Sequence, residues 1–190
     1  MEPLKIIIEG TNLSGKSSVV SELERRYPES VCVTTHGYYH DLFAKLFSNS
    51  PEAIIYHRNR AAAFIPIIKA IKTEEIIFNR LHITAAVYLE LFYNIEEHFS
   101  WLEKKLDSLG MWLVCLDFDD AALEKRAAER IAMRKAMPPG DDGFKKTKLK
   151  RDLYRKYFAA SRLKRKFMVD NSNLTAVQSV DQIAAKIAEK

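Results

Sequence analysis

Residues close to the N-terminus form a pattern that could bind a chain of phosphates. The segment, which we call the phosphate loop, consists of Gly10, Thr11, Asn12, Leu13, Ser14, Gly15, Lys16, Ser17 and Ser18. It contains the Walker A pattern Gly-x-x-x-x-Gly-Lys-Ser, whose glycines let successive backbone N–H groups point inward at an anion. Lys16 can then reach the β- and γ-phosphates of a nucleoside triphosphate, and the Ser17 hydroxyl is placed to bind Mg²⁺. The alternative interpretation is a glycine turn followed by a surface lysine.

The segments on either side of the phosphate loop are those that such a loop requires. Residues 4–9 form a short β-branched run that is typical of a buried strand. Residues 16–27 carry apolar side chains at helical spacing, and the start of that helix would add a positive dipole end beside the phosphates. The sequence therefore predicts a strand, the loop and a helix in that order.

Strand and helix patterns alternate along the rest of the chain. Further strands are predicted at residues 31–35, 75–78, 111–116 and 166–169. Further helices are predicted at residues 41–47, 51–72, 81–109, from Asp119 or Asp120 to Pro138, 147–165 and 175–189. Pro66 should kink or divide its helix, and Gly110 should end the long helix 81–109. Because each strand is apolar throughout, we expect a parallel sheet covered on both sides, in the α/β class.

Composition favours one soluble domain that spans residues 1–190. Of its 190 residues, 47% are hydrophobic, which is enough for a substantial core. No apolar run approaches the ~20 residues that cross a bilayer, and the N-terminus lacks a leader pattern, so we expect a cytoplasmic protein without a membrane partner. Cys32 and Cys115 lie in apolar runs, which favours buried thiols over a disulfide or a zinc site.

The formal net charge of +5 is concentrated in a basic segment, residues 145–166, which also contains several aromatic side chains. Such a segment is either a solvated helix face or a binding site for a polyanion such as nucleic acid. The sequence leaves both interpretations open.

Landmarks in several parts of the chain together resemble the thymidylate kinase and deoxynucleoside kinase family. They are Ile6-Ile7-Ile8-Glu9 before the phosphate loop, Asn79-Arg80 with His82 and Thr84 after the strand 75–78, Leu116-Asp117 with the helix that bears Arg126 and Arg130, and Phe167-Met168-Val169-Asp170. The resemblance covers nearly the whole chain, although only the phosphate loop is specific by itself.

The resemblance implies a three-layer P-loop kinase fold. It would have a five-stranded parallel sheet flanked by helices, with a helical lid at about residues 130–150. It also implies ATP as donor, Mg²⁺ as cofactor, and transfer of the γ-phosphoryl group to a nucleoside or nucleoside monophosphate. Lys16, Arg80, Arg130 and Arg134 would be the catalytic residues, since phosphoryl transfer depends on positioning and on charge neutralisation. Arg80 would contact the acceptor, and Arg130 and Arg134 would close over the triphosphate, unless these arginines only form surface contacts.

Candidate acceptor-binding residues follow from the same resemblance and from their positions after strands. They are Asn12, His36, Tyr38, Phe64, Arg80 and His82. Asn12 and Asn79 stand where the family usually has carboxylates. A phosphate acceptor is already ionised and needs no general base, so these changes favour a monophosphate over a sugar hydroxyl. Glu9 and Asp117 would either hold Mg²⁺ through water or make structural contacts.

We therefore expect an ATP-dependent phosphotransferase that acts on a nucleoside monophosphate. A kinase for nucleic acid or a modified nucleoside is one alternative, and a nucleotide-binding module with little catalysis is another. The sequence contains no Asn-Lys-x-Asp pattern for guanine recognition, so we do not expect a switch GTPase. The long helix 81–109 could bury a face against a second copy of the chain or cover its own sheet.

Overall fold

Five strands form a single parallel sheet in the computed structural model, which describes residues 3–35, 51–71, 75–132 and 144–189. The strands are β1 (Lys5–Glu9), β2 (Val31–Thr34), β3 (Ile76–Asn79), β4 (Trp112–Asp117) and β5 (Lys166–Asp170). Their order across the sheet is β2-β3-β1-β4-β5, and every neighbouring pair is parallel. The predicted sheet is confirmed, with each strand boundary within one residue of its prediction.

Helices cover both faces of the sheet in the described ranges. They are α1 (Lys16–Arg26), α2 (Pro51–Ala70), α3 (His82–Tyr93), α4 (Ser100–Ser108), α5 (Asp120–Ala132), α6 (Phe144–Ala160) and α7 (Ala176–Ala188). Successive strand residues point to opposite faces, so Ile7 packs with α2, α3, α4 and α6, while Ile6 and Ile8 pack with α1 and α7. The result is the expected three-layer α/β arrangement.

The predicted helix 81–109 is wrong, because the chain forms two helices there. Asn94 has a left-handed backbone (φ 54) that ends α3, and Phe99 (φ 50) precedes α4. The Phe99 ring is completely buried, and its backbone N–H donates to the Glu97 side chain at 2.9 Å. A buried aromatic side chain therefore fixes a break that helical spacing does not reveal.

Two other helices also differ from their predictions. Helix α2 continues through Pro66 without division; Pro66 is exposed there. Helix α6 begins at Phe144 and ends at Ala160 rather than at residue 165. The Lys166 ammonium ends it by donating to the carbonyls of Phe158 (2.9 Å) and Ala159 (3.1 Å). The predicted helix 41–47 and the segment from residue 133 to Pro138 lie outside the described residues.

Cys115 is buried as predicted, whereas Cys32 is half-buried. Cys32 and Cys115 are both free, and burial raises the pKa of the Cys32 thiol to about 11. In the ranges that the structure describes, no helix is both long and apolar enough to span a membrane.

Candidate active site

The carboxyl ends of the strands bring the candidate residues to one edge of the sheet, where ligands bind in open α/β folds. The phosphate loop follows β1, Arg80 follows β3 directly, and Asn171 follows β5. Register places Ile8 beside Asn79 and Glu9 beside Cys115, so β1 lies between the strands that lead to Arg80 and Asp117. The phosphate loop is therefore at the centre of this edge.

Glycine is required at two points of the phosphate loop. Gly10 has φ 145, and a Cβ there would lie 2.8 Å from the Leu116 carbonyl oxygen. Gly15 has φ 79, and its Cβ would lie 2.5 Å from Nδ2 of Asn171. Both values of φ strongly favour glycine, and neither position has room for a side chain. The loop thus follows β1 and leads into α1 as predicted.

The polar side chains of the phosphate loop are suited to a bound phosphate chain. Within the described residues, the buried hydroxyl oxygens of Thr11 and Ser14 have no hydrogen-bond partner. Buried polar groups are normally paired, so these two hydroxyls are consistent with a polar ligand at the loop. Ser17 and Ser18 are exposed at the first turn of α1. The loop therefore offers both buried and open oxygen atoms beside a helix N-terminus.

Lys16 is buried beside the loop, with 6% of its surface exposed. Burial lowers the pKa of its ammonium group well below the ordinary value, repulsion by Arg80 lowers it further, and attraction by Glu9 partly opposes both. A charged group in such a place gains from an anion that shares its site. Lys16 is thus an unfavourably placed cation that a phosphate group would stabilise.

Two side chains from outside hold the phosphate loop in shape. Asn171 Nδ2 donates to the Ser14 carbonyl at 2.6 Å, and Arg126 Nη1 donates to the Leu13 carbonyl at 2.9 Å. Arg126 also donates to the carbonyls of Asn171 and Ser172, which ties the loop to the end of β5. Arg126, a landmark of the family resemblance, is thus engaged with the backbone of the phosphate loop.

A cleft of about 300 Å³ opens next to the phosphate loop. It is lined by Leu13, Ser18, Val19, Arg126, Asn171 and Leu174, among others. Flat guanidinium and amide groups next to apolar side chains are suited to a planar ring with polar edges. The cleft therefore has the chemistry of a site for a nucleotide base.

Arg80 occupies the other side of the loop and is held at both its backbone and its side chain. Its φ of 72 is left-handed, a conformation that costs on the order of 1–3 kcal/mol for a residue other than glycine. The backbone N–H donates to the Ile8 carbonyl at 2.9 Å, and the carbonyl accepts from Thr35 Oγ1 at 2.9 Å. The guanidinium donates to Asn12 Oδ1 and to the Tyr154 hydroxyl, both at 3.0 Å. A strained residue with this many contacts is typical of a functional site.

Glu9 makes structural hydrogen bonds, which was one of its two predicted roles. Its carboxylate is completely buried and caps α3 by accepting from the backbone N–H groups of Leu81 (2.8 Å), Ile83 (3.1 Å) and Thr84 (3.3 Å). The Thr84 hydroxyl donates to it as well. The carboxylate therefore compensates the helix dipole of α3.

Asp117 accepts from Arg155 Nε with both carboxylate oxygens, at 3.0 and 2.9 Å. In the described parts of the chain, no group of three or more histidine, cysteine, aspartate or glutamate side chains could hold a metal ion. A magnesium ion at this edge would accordingly depend on Ser17, on the phosphates and on water.

His82 contacts an acidic side chain inside the fold, and its predicted role in binding substrate stays a prediction. It is completely buried, and its Nε2 lies 3.1 Å from Glu103 Oε1. Burial alone would raise the pKa of Glu103, but hydrogen bonds from His82, Ser161 and the Arg162 backbone hold it below the usual value. His82 therefore helps attach the start of α3 to α4.

The remaining predicted residues fall into two groups. Phe64 is half-buried edge-on against Phe78, with ring centroids 5.4 Å apart, and it borders a small pocket on the Arg80 side. Arg130 is half-buried, and its Nε has no partner in the described part of the chain. The predicted residues His36, Tyr38 and Arg134 lie outside the described residues.

Several cations of the basic segment are paired with acidic side chains. Lys148 and Arg151 contact Asp120 at 2.5 and 2.6 Å, Arg155 contacts Asp117, and Lys156 contacts Glu90 at 2.8 Å. Neither predicted interpretation of the segment included this role. Much of its charge attaches α6 to neighbouring elements.

Sequence analysis missed Tyr154, Thr84 and Asn171, which position the candidate site through side-chain contacts. A partial signal existed for Tyr154, since Thr147, Lys150 and Tyr154 follow helical spacing and are all buried on one side of α6. Nothing in the sequence pattern indicates that Asn171 would contact Ser14.

The comparisons with known proteins identify the fold. No protein-family model matches the sequence, and no curated protein matches it. The YorR protein of Bacillus subtilis, solved with phosphorylated GDP, is 19% identical with a TM-score of 0.65, covering 97% of this chain and 96% of that one. The deoxyadenosine kinase of M. mycoides with bound dATP is 17% identical with a TM-score of 0.65, covering 97% and 100%. The thymidylate kinase of Candida albicans is 16% identical with a TM-score of 0.65, covering 99% and 92%.

This chain has a thymidylate and deoxynucleoside kinase-like P-loop fold. The agreement extends over nearly the full length of each chain, so the fold implied by the sequence resemblance is confirmed. Identities of this size show the fold alone. The chemistry has to be argued from the residues.

Proposed function

We propose that this protein is an ATP- and Mg²⁺-dependent phosphotransferase that moves the γ-phosphoryl group to a nucleoside monophosphate. The observation that carries the proposal is a pair of buried cations, Lys16 within the phosphate loop and Arg80 in contact with Asn12 of that loop. Phosphoryl transfer requires charge neutralisation and alignment of two phosphate groups more than covalent chemistry.

The donor side consists of the phosphate loop and the cleft beside it. Backbone N–H groups from Gly10 to Lys16 bind the phosphate chain, the Lys16 ammonium neutralises charge on the β- and γ-phosphates, and the Ser17 hydroxyl binds Mg²⁺. The metal ion, when bound, neutralises charge between the β- and γ-phosphates. The cleft next to Arg126 takes the donor base. Arg130, together with Arg134 on the segment outside the described residues, adds positive charge over the triphosphate.

The acceptor side begins at Arg80, whose guanidinium binds the acceptor phosphate. Phe64 borders this side and offers a ring face to the acceptor base, and His36 and Tyr38 are proposed to complete the pocket. Asn12 holds Arg80 next to the phosphate loop, so donor and acceptor phosphates would meet at the Asn12 side chain.

The carboxylates of Glu9 and Asp117 already make contacts at this edge, which favours a phosphate acceptor over a sugar hydroxyl. A hydroxyl acceptor needs a base to take its proton, whereas a phosphate does not. Among the described residues of this edge, Glu9 is occupied by the N-terminus of α3 and Asp117 by Arg155. The similar structures include a deoxyadenosine kinase and a thymidylate kinase, so they do not distinguish the two classes of acceptor.

The ion pairs of α6 argue against the nucleic-acid alternative. A polynucleotide site needs a row of cations available to phosphates, and Lys148, Arg151, Arg155 and Lys156 already contact carboxylates. A mononucleotide acceptor requires no such row.

A transfer assay with a panel of acceptors tests the proposal. The protein is incubated with ATP and Mg²⁺ together with each nucleoside, each nucleoside monophosphate or a single-stranded oligonucleotide, and the products are separated. We expect transfer to at least one monophosphate, loss of that transfer in Lys16→Met, and no loss in the exposed control Lys104→Met. Transfer only to nucleosides or to the oligonucleotide would contradict the proposed acceptor. ATP binding with no transfer to any acceptor would contradict the enzyme assignment.

A further inference from the structure

Tyr154 on α6 places its hydroxyl at a junction between three buried side chains. It is 2% exposed, and its oxygen lies 3.0 Å from Arg80 Nη1 and 2.7 Å from Thr84 Oγ1. Thr84 Oγ1 in turn lies 2.5 Å from Glu9 Oε2. A continuous series of hydrogen bonds thus joins Arg80 to the buried carboxylate at the end of β1.

The donors and acceptors of this series can be assigned in only one way when Glu9 is ionised. A carboxylate only accepts, so the Thr84 hydroxyl must donate its single hydrogen to Glu9. The Tyr154 hydroxyl must then donate to Thr84, and its oxygen is left to accept from Arg80. Burial raises the pKa of the Tyr154 phenol, so it keeps the proton that this assignment requires.

Helix α6 is itself attached to the carboxyl end of β4. Arg151 Nη1 and Arg155 Nη2 both donate to the Phe118 carbonyl at 3.2 Å, and Arg155 also contacts Asp117. The Arg151 side chain is almost completely buried. Tyr154 lies between these two anchors in sequence, which fixes the height of its hydroxyl above the sheet.

We infer that Tyr154 is a positioning residue that sets the direction of the Arg80 guanidinium and thereby couples α6 to the acceptor side. This inference rests on the proposed function, because it assigns Tyr154 a role through the acceptor arginine. Asn12 holds one guanidinium nitrogen and Tyr154 the other, so the two contacts together fix the plane of the group. With the Tyr154 contact removed, the guanidinium loses one of the contacts that hold its direction.

A double-mutant cycle between Tyr154→Phe and Arg80→Lys tests the inference. We expect Tyr154→Phe to lower kcat/KM for the acceptor by about 10-fold or more, with KM for ATP within about 2-fold of the original, because the lost contact involves a charged group. In the Arg80→Lys background the same change should cost less than about 2-fold, because lysine lacks the second nitrogen of the fork. A purely structural role for the hydroxyl would give equal losses in both backgrounds, and that result would overturn the inference.

Tyr157 provides the matched control on the same helix. Its side chain is equally buried, and its phenol lies near Glu90 rather than Arg80. Tyr157→Phe removes the same hydroxyl group from α6, and we expect its effect to be the same with Arg80 and with Lys at position 80. Coupling of equal size at Tyr157 would show that any hydroxyl loss in α6 disturbs the site, and would contradict a specific role for Tyr154.

Urea unfolding of the same proteins separates failure of the inference from failure of the proposed function. The unfolding cycle needs no substrate, and it should also show that the Tyr154 and Arg80 changes are not additive. The unfolding cycle could show coupling while the original chain transfers no phosphoryl group. The kinase assignment would then be wrong, and the contact between Tyr154 and Arg80 would still be supported. Additive changes in unfolding would overturn the inference whatever the activity.

Discussion

The donor side and the acceptor side of the sheet edge are built by different means. On the donor side, the phosphate loop is a continuous segment whose shape depends on Gly10 and Gly15, and its outside contacts are to backbone carbonyls. On the acceptor side, Arg80 depends on side chains from distant segments, above all Tyr154. The comparison indicates that distant mutations should disturb the donor side mainly at Arg126 and Asn171, which contact its backbone, and should disturb the acceptor side through Tyr154.

The largest expected effect is at Lys16, which borders both sides. Lys16→Met should lower the rate of phosphoryl transfer by about 10²-fold to 10³-fold, since it removes a charge aimed at the transferred group. Because burial holds the pKa of Lys16 down, we expect the free energy of unfolding to stay equal or to rise in the variant. Steady-state kinetics and urea unfolding measure the two quantities. A variant that loses activity only because it unfolds would contradict this separation.

A second prediction concerns the acceptor side alone. Arg80→Lys should lower kcat/KM for the acceptor by about 10-fold to 100-fold, because lysine cannot contact Asn12 and Tyr154 together. KM for ATP should remain within about 2-fold of the original. Arg25→Lys is the matched control, since the exposed Arg25 side chain pairs with Glu22 of the same helix. If Arg80→Lys lowered kcat/KM equally for ATP and for the acceptor, the distinction between the two sides would be wrong.

A change at Arg126 should affect binding of ATP on the donor side and leave binding of the acceptor nearly unchanged. Arg126→Lys cannot maintain the contacts to the Leu13, Asn171 and Ser172 carbonyls at the same time. We expect ATP affinity, measured by calorimetry, to fall by about 10-fold, and KM for the acceptor to change little. If Arg126→Lys changed acceptor KM more than ATP affinity, the assignment of the cleft to the donor base would be wrong.

The last prediction concerns stability rather than activity, at His57 in the pocket on the acceptor side. Burial, with repulsion by Arg60, lowers the pKa of His57 to about 4. The unfolded chain therefore binds the proton more readily than the folded chain between pH 4 and the ordinary histidine pKa, and stability should fall as the pH drops through that range.

The contribution of His57 should be about 2 kcal/mol less favourable at pH 5 than at pH 7. Urea unfolding at both pH values should show this difference in the original chain and a smaller pH dependence in His57→Gln. The exposed His98→Gln serves as control. An unchanged pH dependence in His57→Gln would mean that the acceptor side does not hold this histidine neutral.

The difference between the donor side and the acceptor side also explains how much of the molecule could be predicted from sequence. Strands and the phosphate loop depend on neighbouring residues, so apolar runs and two glycines were sufficient to predict them. The Arg80 contacts join residues separated by 68 and 74 positions, and no local pattern records such pairs. The contact between His82 and Glu103 was missed for the same reason, because the position of His82 two residues after Arg80 does not reveal which side chain it contacts. The break before Phe99 depends on burial of one ring, which helical spacing could not indicate.

Binding of a dinucleoside pentaphosphate tests the central claim most directly, because such a molecule joins a donor and an acceptor nucleotide through one phosphate chain. With adenosine at one end and each of several nucleosides at the other, calorimetry in Mg²⁺ should find one compound that binds at least about 10²-fold tighter than ATP. That advantage should disappear in Arg80→Lys while ATP binding remains. If every such compound bound no more tightly than ATP, the edge of the sheet would hold a single nucleotide, and the account of a donor side and an acceptor side would be wrong.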